Sequence, residues 1–147
     1  MSRYAEGTKV SVESSRGEIS GILAKHGVVR MAWATEPTGD ILQFELGGHA
    51  FRLDIARPTL EEVRARYVAD GRRWNLVSDQ QAKVDAEWRR RWRANVLLLK
   101  AKLEFIEAGD TTIERELLPY LVLTDGRTLG ALVLDGGLPL LGSGDDR

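Results

Sequence analysis

The sequence has no cysteine, which excludes a disulfide framework, a thiol nucleophile and a cysteine metal site. Histidine is scarce as well, and the two present, His26 and His49, have no second metal ligand at a recognised spacing. The GxSxG, GxGxxG, P-loop and HExxH motifs are also absent from the sequence. We therefore expect no metal site, no cofactor and no enzymatic activity.

Long apolar runs are missing too. No run reaches membrane length, and residues 1–10 contain no apolar signal core. We therefore expect a cytoplasmic protein with no membrane partner. The length of 147 residues, of which 43% are hydrophobic and 29% charged, is typical of one soluble globular domain. We place this domain at residues 1–142 and a frayed tail at residues 143–147.

The net charge is only −1, which argues against bulk electrostatic attraction to nucleic acid or membrane. The charges are unevenly distributed, however. Eleven basic and four acidic residues lie between Arg64 and Lys102, a local balance of +7, which leaves −8 for the rest of the chain. This asymmetry has two interpretations: charge complementarity between elements or subunits, or a basic surface for an anionic ligand.

The N-terminal part of the sequence predicts a short strand and then a helix. Residues 8–12 alternate between polar and apolar side chains, which is typical of a strand. Ser15 and Glu18 fit a capping box, and Gly27 supplies a helix stop. We therefore expect an N-terminal helix of about three turns.

Three consecutive segments then alternate with a period of two, which predicts a three-stranded antiparallel meander with one buried face. These segments are residues 28–33, 41–46 and 50–56. The alternation places Val29 on the same side as Met31 and Trp33. Arg52 lies on the opposite face, whose mixed charges are typical of exposed cross-strand pairs.

Two helices follow the meander. Thr59 and Glu62 fit a capping box for the first of them. Residues 68–79 have the weakest pattern of the interior, which favours a mobile loop. A long helix then spans about residues 79–108 and ends at Gly109.

The C-terminal part predicts a short helix capped by Thr111. The turn signal Asp125-Gly126 then favours either a hairpin or a strand followed by a helical turn. The complete pattern predicts an α+β fold: an N-terminal helix, a three-stranded antiparallel meander, a long helix packed on the sheet, and a short helix and hairpin at the C-terminus.

The long helix has two apolar stripes at roughly 100° per residue. The first consists of Trp88, Trp92, Val96, Leu99, Leu103 and Ile106, and the second of Ala94, Leu97, Leu98, Ala101 and Phe105. A helix that is apolar on two sides is packed on two sides. The sheet covers one stripe, and the C-terminal elements or a second copy cover the other, so a homo-oligomer is expected. Trp88 and Trp92 lie with the leucines, which favours a place in the core over base stacking.

The basic residues near the start of the long helix are the candidate ligand contacts, because Arg suits bidentate contact to phosphate. The candidates for phosphate binding are Arg89, Arg90, Arg93, Lys100, Arg72, Arg73 and Arg52. Trp74 is the candidate stacking residue, beside Arg72 and Arg73 on the predicted loop. Intersubunit ion pairs with the acidic flanks explain the same arginines as well, and both interpretations remain open.

Four stretches carry a resemblance that spans most of the chain. They are SSRGEISGIL (14–23), FELGGHAFRLDI (44–55), RRRWRANVLLLKAKLEFIEAG (89–109) and ERELLPYLVLTDGRTLG (114–130). Their arrangement resembles a family of small uncharacterised proteins of tailed phages and prophages. The resemblance implies a phage origin, a location inside the infected bacterial cell, and one of two roles: handling phage DNA or blocking host defence. It implies no particular site.

The order of elements also resembles two nucleic-acid-binding folds. The double-stranded-RNA-binding domain is one, but its Lys-rich helix start is absent here. The core of ring-forming single-strand annealing proteins is the other, and it implies ring oligomers with DNA along a basic groove.

These observations lead to two functional hypotheses and a simpler alternative. The first is a non-enzymatic, homo-oligomeric phage protein that binds single-stranded DNA in replication or recombination. The second is a phage counter-defence protein that sequesters a cyclic or other nucleotide signal, or inhibits a host defence protein. The simpler alternative is an assembly protein that binds neither.

Overall fold

The computed structural model describes residues 3–74, 77–138 and 140–142 of the chain. Its elements are helix α1 (Val12–Lys25), strands β1 (Met31–Glu36), β2 (Gly39–Leu46) and β3 (His49–Ala56), and helices α2 (Leu60–Ala69), α3 (Val77–Glu107), α4 (Ile113–Leu117) and α5 (Leu129–Leu134). A short 3-10 helix at Leu118–Tyr120 follows α4. This order confirms the predicted α+β fold. The predicted tail at residues 143–147 and part of the predicted loop, residues 75–76, lie outside the described residues.

The sheet is the predicted antiparallel meander, in the order β1-β2-β3. Phe44 of β2 lies opposite Phe51 of β3, and both are buried as the alternation predicts. Gly47 and Gly48 join these strands with φ angles of 60° and 82°, the left-handed pair that a tight hairpin turn requires. The prediction for Val29 is wrong: its side chain is 89% exposed, because β1 begins only at Met31.

The predicted strand at residues 8–12 is not formed. Helix α1 begins there instead, one turn before the predicted start, and Ser11 caps it by accepting a hydrogen bond from the Ser14 N–H at 3.1 Å. Val12 belongs to the helical face that continues through Ser15 and Ile19, both of which are fully buried. Of the five residues, only Val12 is helical, and residues 8–10 form no regular element.

The core lies between the sheet and the two helices α1 and α3. Trp92 is completely buried, and its ring centre is 5.4 Å from that of Trp33. Trp88 is partly buried against the same cluster, so both tryptophans of α3 belong to the core as predicted. The second apolar stripe of α3 is less well covered. Within the described residues, Leu98 remains 44% and Phe105 57% exposed.

The C-terminal elements follow the second predicted arrangement, in which an extended segment is followed by a helix. Thr112, one residue after the predicted cap, accepts a hydrogen bond from the Arg115 N–H at 3.2 Å and begins α4. A single bridge between Val122 and Thr128 closes the turn at Asp125-Gly126, and α5 follows directly. None of the helices in the described ranges has the length and apolar character needed to cross a membrane.

Candidate anion-binding cleft

The predicted phosphate contacts of α3 point to different parts of the molecule. Arg93 pairs with Glu18 of α1, and Arg90 pairs with Glu87 of its own helix. Arg89 makes no ion pair with any described residue, and Lys100 is exposed about three turns further along the helix. These four side chains therefore do not form one continuous basic surface.

The remaining predicted residues lie on two separate elements. Arg52 is on β3, where its Nη1 donates to the carbonyl of Gly126 at 2.8 Å. Arg72 and Arg73 follow α2. The Arg72 guanidinium lies 4.3 Å from the ring centre of Tyr67, while Arg73 is exposed and has no ion-pair partner in the described ranges. Trp74 contacts Tyr67 edge to face, with ring centres 5.6 Å apart.

A cleft of about 630 Å³ opens between the N-terminal segment, α2 and the first half of α3. The basic residues that line it are Arg3, Arg66, Arg72, Lys83, Arg90 and Arg91. The acidic residues that line it are Glu6, Glu62, Asp70 and Glu87. The cleft therefore carries a positive surplus. It combines Arg72 and Arg90 of the predicted set with four basic residues that were not predicted.

Glu87 organises the floor of this cleft. Its side chain is only 6% exposed, and it accepts hydrogen bonds from Arg3 Nη1 at 2.8 Å, Arg90 Nε at 2.9 Å and Arg91 Nε at 3.2 Å. Burial acts to raise the pKa of Glu87, but the hydrogen bonds and positive charges of Arg90 and Arg3 outweigh burial and hold the pKa below its ordinary value. The carboxylate is therefore ionised at neutral pH and keeps three guanidinium groups in place.

Two cations of the cleft have no carboxylate partner in the part of the chain that the structure describes. One is Arg66, which is exposed on α2. The other is Lys83, whose Nζ lies 5.2 Å from the ring centre of Tyr67 and 5.1 Å from that of Trp74. A cation over an aromatic face is stabilised but keeps its charge available to an anion. One end of the cleft thus combines the ring of Tyr67 with unpaired positive charge.

The residues missed from the sequence fall into two groups. Glu87 and Arg91 lie on the same helix as the predicted Arg90, and Glu87 precedes the two arginines by three and four positions, so this pairing was open to prediction from local spacing. Arg3 lies 84 positions before Glu87, and no local pattern connects the two.

A second ion cluster, centred on the buried carboxylate of Asp40, lies outside the cleft. Asp40 at the start of β2 is 2% exposed and accepts a hydrogen bond from Arg16 Nη2 at 2.8 Å. Arg57 Nη2 is 3.9 Å from its other oxygen. The Arg16 guanidinium also stacks 5.1 Å from the ring centre of Trp92. Because these groups hold α1, the sheet and α3 together, we interpret the cluster as structural.

No family model, curated protein or solved structure matches the chain. The resemblance to phage proteins therefore stays a prediction. The function is inferred from the geometry of the chain's own residues.

Proposed function

We propose that the protein is a non-enzymatic nucleotide-binding protein and that the ligand occupies the cleft between α2 and α3. The observation that carries the proposal is the floor of that cleft, where Arg3, Arg90 and Arg91 all contact the carboxylate of Glu87, and Arg91 also contacts Glu62 at 2.7 Å. Guanidinium groups held in place by a carboxylate are suited to phosphate oxygens. The volume of about 630 Å³ lies within the usual range of small-molecule sites.

The unpaired cations and the aromatic corner supply the other half of such a site. The ligand's phosphate groups would contact Lys83 and Arg66, neither of which forms an ion pair with a carboxylate among the described residues. The base would stack on Tyr67 in place of the Arg72 guanidinium. Arg72 is free to move because its carboxylate partner Glu6 is 3.8 Å away and both side chains are exposed to solvent.

A discrete site accounts for the geometry better than a groove for single-stranded DNA. A strand needs a continuous line of available cations. Arg93 is already paired with Glu18, and Arg89 and Lys100 do not line the cleft. Single-strand binding is therefore the competing outcome of the experiment below.

The biological setting is part of the same proposal. The resemblance to phage proteins favours an infected bacterium as the setting, where the chain would sequester a nucleotide signal and so weaken host defence. Homo-oligomerisation is supported by the exposure of Leu98 and Phe105 on the second stripe of α3. A second copy of the chain is the occupant we propose for that stripe.

The test is calorimetric titration of untagged protein with ATP, cyclic AMP, cyclic di-AMP, cyclic di-GMP and oligo-dT of increasing length. We expect at least one small nucleotide to saturate at a fixed number per chain. Affinity for oligo-dT that grows with strand length, without small-nucleotide binding, would support the strand-binding hypothesis instead. Binding of neither would refute both.

Two variants locate the binding. Lys83→Gln removes an unpaired cation of the cleft, and we expect it to weaken nucleotide binding by about tenfold, the usual effect of losing one charge-assisted contact. Arg89→Gln is the matched control. It removes the same charge from the same helix, at a position that does not line the cleft, and it should leave the affinity unchanged.

A further inference from the structure

A second cluster of ligand-type side chains lies where α1 and α3 end. His26 is the C-cap of α1, and Glu104 and Glu107 are in the last turn of α3. Glu107 Oε2 is 3.2 Å from His26 Nδ1, and Glu104 Oε1 is 3.8 Å from His26 Nε2. One ligand atom from each residue can be chosen so that all three lie within 4.8 Å of one another.

The imidazole of His26 is buried but incompletely satisfied. Its side chain is 6% exposed, and its Nε2 atom is buried without a hydrogen-bond partner among the described residues. A buried ring nitrogen without a partner is unfavourable. The two carboxylates beside it are 46% and 60% exposed, which leaves them free to rotate towards a shared ligand.

The charge around this cluster favours a bound cation. Helix C-termini carry partial negative charge, so basic residues are the usual occupants of the last turn. Helix α3 has no basic residue in its last turn and has Glu104 and Glu107 there instead. The only ammonium group described near them is that of Lys25, whose Nζ is 3.6 Å from Glu104 Oε1. Lys25 is 66% exposed and can move into solvent.

We propose that His26, Glu104 and Glu107 bind a divalent transition-metal ion of the Zn²⁺ type. One imidazole nitrogen with two carboxylate oxygens suits Zn²⁺ and its neighbours, whereas Mg²⁺ and Ca²⁺ prefer oxygen ligands alone. Water would complete the coordination. Glu104 lies 17 residues, or roughly 25 Å along the helix, from Glu87 of the cleft, so the metal would pin the ends of α1 and α3 together without touching the nucleotide.

The test is calorimetric titration of untagged, metal-free protein with ZnCl₂ near neutral pH. We expect one Zn²⁺ per chain and no binding of Mg²⁺. His26→Gln should abolish the binding, and Glu107→Gln should weaken it at least tenfold. His49→Gln is the matched control, because His49 is the only other histidine and pairs with just one carboxylate among the described residues, that of Glu114 at 3.5 Å. It should bind Zn²⁺ like the unaltered protein.

A thermal-unfolding readout covers the case in which His26→Gln does not fold. Zn²⁺ should raise the melting temperature of the unaltered protein by preferential binding to the folded state. The shift should disappear in Glu104→Gln and Glu107→Gln, which change exposed side chains. The absence of Zn²⁺ binding, or Zn²⁺ binding and a thermal shift that persist unchanged in both glutamine variants, would overturn the proposal.

Discussion

Replacing Glu87 with glutamine should destabilise the fold measurably, although the two side chains have nearly the same size. Glutamine keeps one acceptor oxygen but places an NH₂ donor against guanidinium groups. The substitution also removes the negative charge that Arg3, Arg90 and Arg91 share, although Arg91 keeps its ion pair with Glu62 at 2.7 Å. Removing one partner of a fully buried ion pair costs about 3–5 kcal/mol. Because these arginines are 17–25% exposed and can turn towards water, we expect a smaller loss of about 2–3 kcal/mol.

Urea unfolding at pH 7 measures this loss, which corresponds to a fall in melting temperature of about 4–12 °C for a chain of this size. The matched control is Glu45→Gln. Its carboxylate is 49% exposed and lies 3.5 Å from Arg30, so its loss should change stability by less than about 1 kcal/mol. If the free energy of unfolding of Glu87→Gln lies within about 0.5 kcal/mol of that of the unaltered protein, the arginine cluster does not depend on its carboxylate and the reasoning is refuted.

The pH dependence provides a second check on Glu87. Its pKa is lowered in the folded state, so the unfolded chain holds the proton more tightly. The stabilisation from Glu87 is therefore complete above the ordinary glutamate pKa of about 4.3 and is lost as the pH falls through the lower folded value. The stability difference between the unaltered protein and Glu87→Gln should shrink below about pH 4. A difference that stays constant down to pH 3 would contradict the assignment.

Three further predictions concern the core and the second stripe of α3. Asp40→Ala should lower the free energy of unfolding by about 2 kcal/mol in urea titrations, because it leaves the Arg16 guanidinium without its carboxylate, although Arg16 is 35% exposed and can turn towards water; a loss below about 1 kcal/mol would contradict this. Leu103→Ala should lower it by about 2–5 kcal/mol, because Leu103 is 1% exposed, whereas Leu134→Ala, at an 87% exposed position, should have almost no effect. Phe105→Ser should dissociate the proposed homo-oligomer in sedimentation experiments, and an unchanged sedimentation coefficient would exclude this stripe as the interface.

The fold was largely predictable because its signals are local. The two-residue period around Phe44 and Phe51 identified the paired strands, and the helical spacing of Trp88 and Trp92 assigned both to the core. The error at residues 8–12 has the same origin. Five residues are too few for a period to establish a strand, and only Val12 of these five belongs to a regular element, the helix that begins about two turns before the buried Ile19.

The candidate sites were predictable only in part, because they depend on long-range contacts. Arg90 was selected as a phosphate contact from its charge and its place on the long helix, and its position beside Glu87 and Arg3 required the fold. The cluster of His26 with Glu104 and Glu107 joins residues 78 or more positions apart, so no motif spacing reports it. Basic residues clustered along the sequence were separated in space, because successive positions on a helix point about 100° apart.

The measurement that most directly tests the nucleotide-binding proposal is a backbone NMR titration, which is practical for a chain of 16.4 kDa. The protein would be titrated with the small nucleotides of the calorimetric panel, and the shifted amide signals mapped onto the fold. The proposal predicts that one of these nucleotides shifts the signals around Tyr67, Lys83 and Arg90. Shifts around Arg93 and Lys100 that leave the cleft unaffected, or no shift with any nucleotide, would contradict it.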